Sequence, residues 1–259
     1  MQPTQELCPI LYKRMLREDV VDLVVYAKSI AAQARPGQFV QIKCGESALL
    51  RRPISICSVD GSALRLVIES AGLGTEWLCR RAAGEQLDLI GPLGSRGFPA
   101  PDPSKGPILL VGGGCGNAPL LFAASQSEAV VDVLMGFSTA SKVMMTDDFA
   151  RFCRKVTVST DDGSYGIRGY ANEVAKEMLL TESYAALYAC GNMEMLKAVA
   201  DTVSDLGIPC YVSLDERMGC GLGFCYTCAA STRKEDGSHF YSHVCVYGPV
   251  YELSEVVWA

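Results

Sequence analysis

No stretch of this 259-residue chain reaches the roughly 20 consecutive apolar residues that a membrane-spanning helix requires. The longest apolar patches, such as PILLVGGG, are broken by glycine. The N-terminal MQPTQELCPILYKRML lacks an apolar run bounded by a cleavage site, so no secretory leader is expected. There is no basic excess. Lys and Arg number 23 against 29 Asp and Glu, a net charge of −6, which argues against nucleic acid as the main partner. Internal repeats and low-complexity tracts are missing as well. These absences leave a soluble, cytoplasmic protein, and with 49% hydrophobic residues a sizeable core is expected.

Histidine is scarce, at two residues, whereas cysteine is plentiful, at twelve. Eight cysteines (Cys8, Cys44, Cys57, Cys79, Cys115, Cys153, Cys190 and Cys210) are scattered singly among apolar residues. Buried reduced thiols account for that pattern better than a disulfide framework. The other four are clustered as C-x4-C-x2-C-x16-C, formed by Cys220, Cys225, Cys228 and Cys245. This is the spacing of plant-type [2Fe–2S] proteins, in which a tight loop delivers three thiolates and a distant residue the fourth. Gly219, Gly221 and Gly223 would let the backbone wrap closely and aim N–H groups at sulfur. A structural zinc site would more often show paired C-x2-C units. A Rieske centre would need His239 and His243 as ligands, but with four cysteines available these read as surface or supporting residues.

The rest of the chain divides by pattern. Up to about residue 98, short β-rich runs (Asp22–Ala27, Gln38–Lys43, Ile54–Val59, Leu64–Glu69) alternate with the turn signals RPG, DGS and GLG. That spacing predicts a barrel or sandwich, with one short helix over Thr75–Ala83. PAPDPSKGP, at 99–107, is the best linker candidate. From Ile108, strand-like runs (ILLV, Val130–Phe137, Val156–Ser159, Ala185–Ala189) alternate with helical stretches near 143–153, 170–180 and 193–206. Such alternation predicts a parallel sheet with crossover helices. The tail from residue 211 is too short to build a core alone. The expected architecture is α+β and multidomain, with an antiparallel β domain over 1–100, an α/β nucleotide-binding domain over 101–210 and a small cluster domain over 211–259.

Several motifs suggest chemistry without securing it. VGGGCGNAP, 111–119, joins a strand to a helix, where glycines admit close backbone approach and a helix N-terminus favours phosphate. It departs from strict G-x-G-x-x-G at Asn117 and Pro119, and many glycine-rich turns are only structural. RRPIS, 51–55, offers an Arg for phosphate and a Ser hydroxyl for a flavin, or is an ordinary strand start. YACGN, 188–192, ends a buried strand, so Cys190 is placed to face a nicotinamide or is a small core residue. TDDGSYG, 160–166, is a plain turn or a cover over the cofactor edge.

Taken together and in order, RPGQFV, LLRRPISI, GPLGS, VGGGCGNAPL, TDDGSYG, YACGNMEMLKAV and SLDERMGCGLGFCYTC resemble the electron-transfer subunits of NAD-linked, class 1B dihydroorotate dehydrogenases, in the ferredoxin–NADP reductase superfamily. The resemblance runs through the closing GPVYELSEVVW. It implies an FAD-binding β-barrel, an NAD-binding α/β domain and a C-terminal [2Fe–2S] loop. It places Arg52, Pro53, Ile54, Ser55, Val67, Ile68, Glu69, Gly74 and Thr75 against FAD, with Arg52 on the pyrophosphate and Ser55 near the reactive flavin nitrogen. It places Gly113, Gly114, Gly116 and Cys190 against NAD. Departures from the family pattern are Glu69 where a basic residue is common, YACGN for YACGP, and GCG at 114–116 for GVG or GIG.

The implied role is an electron relay between NAD and the FMN of a separate catalytic subunit that oxidises dihydroorotate to orotate. That assembly would be a heterotetramer of two catalytic and two electron-transfer subunits. A second reading is the flavin and iron–sulfur subunit of another NAD(P)H-linked complex, such as an NADH-dependent ferredoxin:NADP oxidoreductase. Such relatives can carry Asp in place of one cluster cysteine, whereas all four positions here are Cys. A third is a zinc-stabilised binding module without redox activity.

Overall fold

The computed structural model describes residues 2–46, 48–234 and 236–258. Strands β1 (Thr4–Arg17), β2 (Val20–Tyr26), β3 (Phe39–Ile42), β4 (Arg52–Asp60), β5 (Ala63–Glu69) and β6 (Gln86–Leu93) close into an antiparallel barrel in the order β1-β2-β5-β4-β3-β6. Two short helices, α1 (Lys28–Ala31) and α2 (Leu73–Cys79), sit on its connections. Ile10, Leu23, Ile42, Ile56, Leu66 and Leu89 fill the interior and are buried. Closure leaves no free sheet edge. It depends on the length of β1, whose first half pairs with β6 and whose second half pairs with β2.

The second unit is a seven-stranded sheet in the order β10-β9-β8-β7-β11-β12-β15. Its strands β7 (Ile108–Gly113), β8 (Val131–Phe137), β9 (Lys155–Thr160), β10 (Ile167–Arg168), β11 (Ala186–Cys190) and β12 (Cys210–Ser213) are parallel. Strand β15 (Val250–Glu252) closes the edge antiparallel to β12. Helices α3 (Asn117–Ser125), α4 (Thr146–Phe149), α5 (Ala171–Thr181) and α6 (Met193–Val203) supply the connections. Buried on both faces, β7 reads as an unbroken apolar run. Its Ile108 and Leu110 face α3 and α4, while Leu109 and Val111 face α5 and α6. The helical stretch expected near 143–153 narrows to the single turn α4.

Residues between β12 and β15 form a small lobe with a hairpin, β13 (Ala229–Arg233) and β14 (His239–His243), and a helical turn, α7 (Val244–Tyr247). This lobe shares one core with the barrel's outer face and with the sheet. Phe39 and Leu93 of the barrel pack in the same cluster as Cys228, Val244, Cys245 and Tyr251.

Ion pairs tie the barrel to the α/β unit. The Arg65 guanidinium on β5 grips Asp148 on α4 with both arms, at 2.8 and 2.9 Å, and also donates to Asp22 on β2 at 2.9 Å. Asp22 is buried and also accepts from Arg14. A buried charge that loses a partner is costly. Asp22→Ala should therefore lower the unfolding free energy in urea by about 3 kcal/mol. Glu76→Ala, which removes only the exposed pair with Arg80, should change it by less than about 1 kcal/mol.

Candidate functional site: a shared cleft and a cysteine loop

Ligands of parallel sheets bind beyond the carboxyl ends of the strands. Here those ends face the barrel, and a cleft of about 1000 Å³ lies between the two units. The barrel contributes Pro53, Ile54 and Ser55 from β4 and Val67, Ile68 and Glu69 from β5. The α/β unit contributes Gly113, Gly114 and Gly116 after β7, and Cys190 at the end of β11. Leu214 and Met218, on the segment leading to the cysteine loop, close one end. The size is at the upper limit for single-ligand pockets, about 300–1,000 Å³, and suits an extended cofactor.

The turn after β7 is shaped by close contacts. A side chain on Gly116 would stand 2.3 Å from the Cys190 carbonyl oxygen, so only glycine lets this turn lie against the end of β11. Gly114 differs: its φ is +51° and a Cβ would meet nothing within 4 Å. It supplies a left-handed backbone that leaves the peptide open to the cleft. Asn117, wholly buried, donates to the Gly114 carbonyl at 2.9 Å and holds the turn shut. The residue that disturbs the dinucleotide motif in sequence is thus a brace for it in space.

Charge in the cleft is distinctive. Among the described lining residues the cations are Arg17 and Lys142, set against Glu69, Asp161, Glu194 and Asp215. Both cations are already paired. Arg17 bonds Glu69 and Asp19, and Lys142 bonds Asp19 at 3.0 Å. Burial, together with neighbouring Glu69, pushes the Cys115 thiol up to about 12. Burial likewise raises Cys190 to about 12. Both thiols are therefore neutral near pH 7. Desolvation raises the carboxyls of Asp161, also close to Asp162, and of Asp215.

Three residues expected at a flavin do not line the cleft. The Arg52 guanidinium lies on the Gly74 backbone, where a Cβ would come within 2.5 Å of its Nε, and it donates to the Leu50 carbonyl at 2.7 Å. The Thr75 hydroxyl accepts from the Ala71 and Gly72 N–H groups and fastens the start of α2. Arg52 therefore meets Gly74 next to Pro53, the first β4 residue that lines the cleft, and Thr75 bonds within its own turn. Asp161, from the TDDGSYG turn, lines the cleft, and residues not anticipated are Arg17, Asn172, Asp215 and Met218. Asp215 could have been found, because it lies two residues beyond the carboxyl end of a sheet strand, as Asp161 lies one beyond another. Arg17 enters from the far end of β1 and carried no local signal.

The four clustered cysteines lie together. Cys220 adjoins Cys225, whose Sγ accepts from the Cys220 N–H at 3.3 Å, and Cys228 adjoins Cys245. Gly221 (φ +71°), Gly223 (φ +87°) and Tyr226 (φ +60°) curl the loop. The curl aims N–H groups at sulfur: Leu222 and Phe224 donate to Cys220 Sγ, and Cys220 donates to Cys225 Sγ, each at 3.3 Å. Among the described residues no group of three or more His, Cys, Asp or Glu side chains is gathered to hold one metal ion. Two thiol pairs, rather than a single tetrahedron, are what a two-iron cluster requires, and the sulfur-directed N–H groups suit its thiolates. His239 is exposed, whereas His243 is buried with its ring 4.0 Å from that of Tyr226.

The loop is asymmetric. Cys225 is exposed, and hydrogen bonds from Thr227 and the Cys220 amide lower its thiol to about 6. Cys245 is buried, and burial beside Cys228 raises it to about 12. In cluster-free protein at pH 7, iodoacetamide should therefore modify Cys225 first and spare Cys245, with cluster assembly protecting Cys225; peptide mass spectrometry reads the order. Separately, Gly116→Ala should displace the β7 turn from the end of β11 and lower the unfolding free energy by about 1–3 kcal/mol, as read by urea titration.

Residues 215–257 match the iron–sulfur cluster binding domain of dihydroorotate dehydrogenase B. The dihydroorotate dehydrogenase B (NAD(+)) electron transfer subunit of Geobacillus thermodenitrificans is 40% identical, covering 98% of both chains. That of Bacillus cereus strain Q1 is 35% identical, covering 96% of both. Among solved structures, one of an NADH-dependent reduced ferredoxin–NADP oxidoreductase superposes with a TM-score of 0.85 at 30% identity, over 98% of this chain and 90% of that one. A ferredoxin reductase of carbazole 1,9a-dioxygenase shares the fold, with a TM-score of 0.69 at 21% identity over 81% of this chain and 68% of that one. The chain belongs to the family of dihydroorotate dehydrogenase B electron transfer subunits.

Proposed function

We propose that this chain relays electrons between NAD and a partner flavoprotein, using FAD in the cleft and a [2Fe–2S] cluster on the cysteine loop. The observation that carries this reading is the continuity of the site. One cleft is lined by the barrel, the nucleotide turn and Met218, and Met218 lies two residues before the first cluster cysteine. FAD exchanges hydride with a nicotinamide and single electrons with an iron–sulfur centre, so it belongs between them. Pro53, Ile54, Ser55, Val67, Ile68 and Glu69 would hold the flavin, with Arg52, Gly74 and Thr75 beyond them at the phosphate end. Gly113, Gly114 and Gly116 would admit the nicotinamide dinucleotide, whose ring would face the neutral Cys190 thiol. Because the lining cations are spent on ion pairs, backbone N–H groups are left to meet phosphate, as at other glycine-rich turns.

The partner would be an FMN-containing catalytic subunit that oxidises dihydroorotate, in a two-plus-two assembly in the cytoplasm. The surface around the cysteine loop supports a docking role, because Phe224 is 83% exposed, Tyr241 71% and Tyr226 68%. Exposed aromatics at that density mark interfaces rather than free surface. Among the described residues no helix is long and apolar enough to cross a membrane. The fold relative named for ferredoxin–NADP oxidoreduction offers a second assignment. The full-length match to dihydroorotate dehydrogenase subunits at 40% identity favours the first.

Purified protein should show flavin and iron–sulfur absorbance and should bind an FMN-containing chain, after which dihydroorotate reduces NAD⁺. Cys225→Ser should retain FAD yet lose that coupling. Undiminished NAD⁺ reduction in Cys225→Ser, or a colourless protein with stoichiometric zinc, would refute the proposal.

A further inference from the structure

Strand β3 carries one polar side chain in an unusual place. Val40 and Ile42 point into the barrel core, and Phe39 points out toward the cysteine lobe. Gln41, between Val40 and Ile42, also points out. It is completely buried, and its Oε1 has no hydrogen-bond partner. Its Nε2 approaches Met218 Sδ at 3.9 Å. The amide lies flat on Gly221, where a Cβ would stand 2.6 Å from Nε2 and 3.0 Å from Cδ. The backbone of Gln41 pairs with Pro53, which lines the cleft.

One amide therefore touches both ends of the segment 218–221. Met218 reaches the cleft, and Gly221 directly follows the cluster ligand Cys220. A buried acceptor without a donor is unfavourable, and an apolar residue of the same shape would avoid that cost. Glycine at 221 is required for the amide to fit as well as for the loop's left-handed turn.

We propose that Gln41 is a positioning residue for the single-electron step between the cleft and the cysteine loop. This rests on the flavin and cluster assignments above. Its amide holds the Cys220 side of the loop against the barrel strand that lines the cleft. It also places an amide dipole against Gly221, the residue that follows Cys220, and dipoles near the ligating loop tune the potential of an iron–sulfur centre. The step it would serve is a single-electron transfer, in which flavin reduced by NADH would give up one electron, the oxidised cluster would take it up, and no bond of the polypeptide would form or break.

The test uses the purified chain carrying both groups, as wild type, Gln41→Leu and Gln41→Glu. Rapid mixing with NADH follows flavin and cluster absorbance separately, and electron paramagnetic resonance with redox titration reads the cluster. In Gln41→Leu, flavin reduction by NADH should match wild type, while cluster reduction slows about tenfold or more and the cluster's spectrum and midpoint potential shift. Gln41→Glu, which keeps the shape and adds negative charge, should lower the cluster potential. Wild-type cluster kinetics, spectrum and potential in Gln41→Leu would overturn the proposal. Should Gln41→Leu fail to retain its cluster, an unchanged potential in Gln41→Glu overturns it equally. A purely structural role would lower thermal stability and leave the potential where it was. Wild-type protein lacking flavin or iron–sulfur absorbance would instead refute the cofactor assignments themselves.

Discussion

Helix α3 is buried on every side, and the geometry of the site depends on that packing. Residues 117–124 are all buried, as expected of a helix that is apolar all round. On one side Leu120, Leu121 and Ala124 belong to the core beneath the parallel sheet; on the other, Phe122 enters the core of the barrel. The helix begins where the glycine turn ends, so wedging it between two cores fixes the turn relative to β4 and β5. A nucleotide held by the turn and a flavin held by the barrel would share one rigid frame. The Arg65–Asp148 clamp and the Arg17–Asp19–Lys142 network add direction to a placement that apolar packing already enforces.

The sequence made the chemistry more legible than the architecture. Spacing alone picked out Cys220, Cys225, Cys228 and Cys245, because thiolate convergence demands a tight loop. Strands β2 to β5 and β7 to β9 could be read from periodicity and β-branched content. Strand β1 could not. Its register slips between Ile10 and Tyr12 and again between Met15 and Arg17, and each slip breaks the alternation that marks a strand. Strand β6 was hidden by Gly91 and Pro92 near its end, which read as a turn. β15 lies in a tail without periodicity, and only its pairing with β12 makes it a strand. Long-range partners were beyond reach in the same way: nothing near Gln41 announces Met218, and nothing near Arg17 announces Glu69.

The cations that line the cleft, Arg17 and Lys142, are both ion-paired. They are committed to carboxylates on the barrel side, Glu69 and Asp19. Compensating charges inside the wall keep its geometry fixed before a ligand arrives. Gly114 and Gly116 leave the backbone of the β7 turn open on the other wall. Arg52, at the start of β4, lies on Gly74 outside the lining.

The lobe that carries the cysteines is an insertion between β12 and β15, two strands hydrogen-bonded to each other in the main sheet. Its two ends are therefore pinned side by side by backbone pairing, and the entropy of closing the loop is met by the sheet rather than by a metal. Cys228 and Cys245 are rooted in the shared core, while Cys225 faces outward. An electron centre built this way is replaceable. Damage would begin at the outer pair, and the inner pair would stay in register as a template on which iron and sulfide can be reinstalled without unfolding the domains that bind the other two carriers.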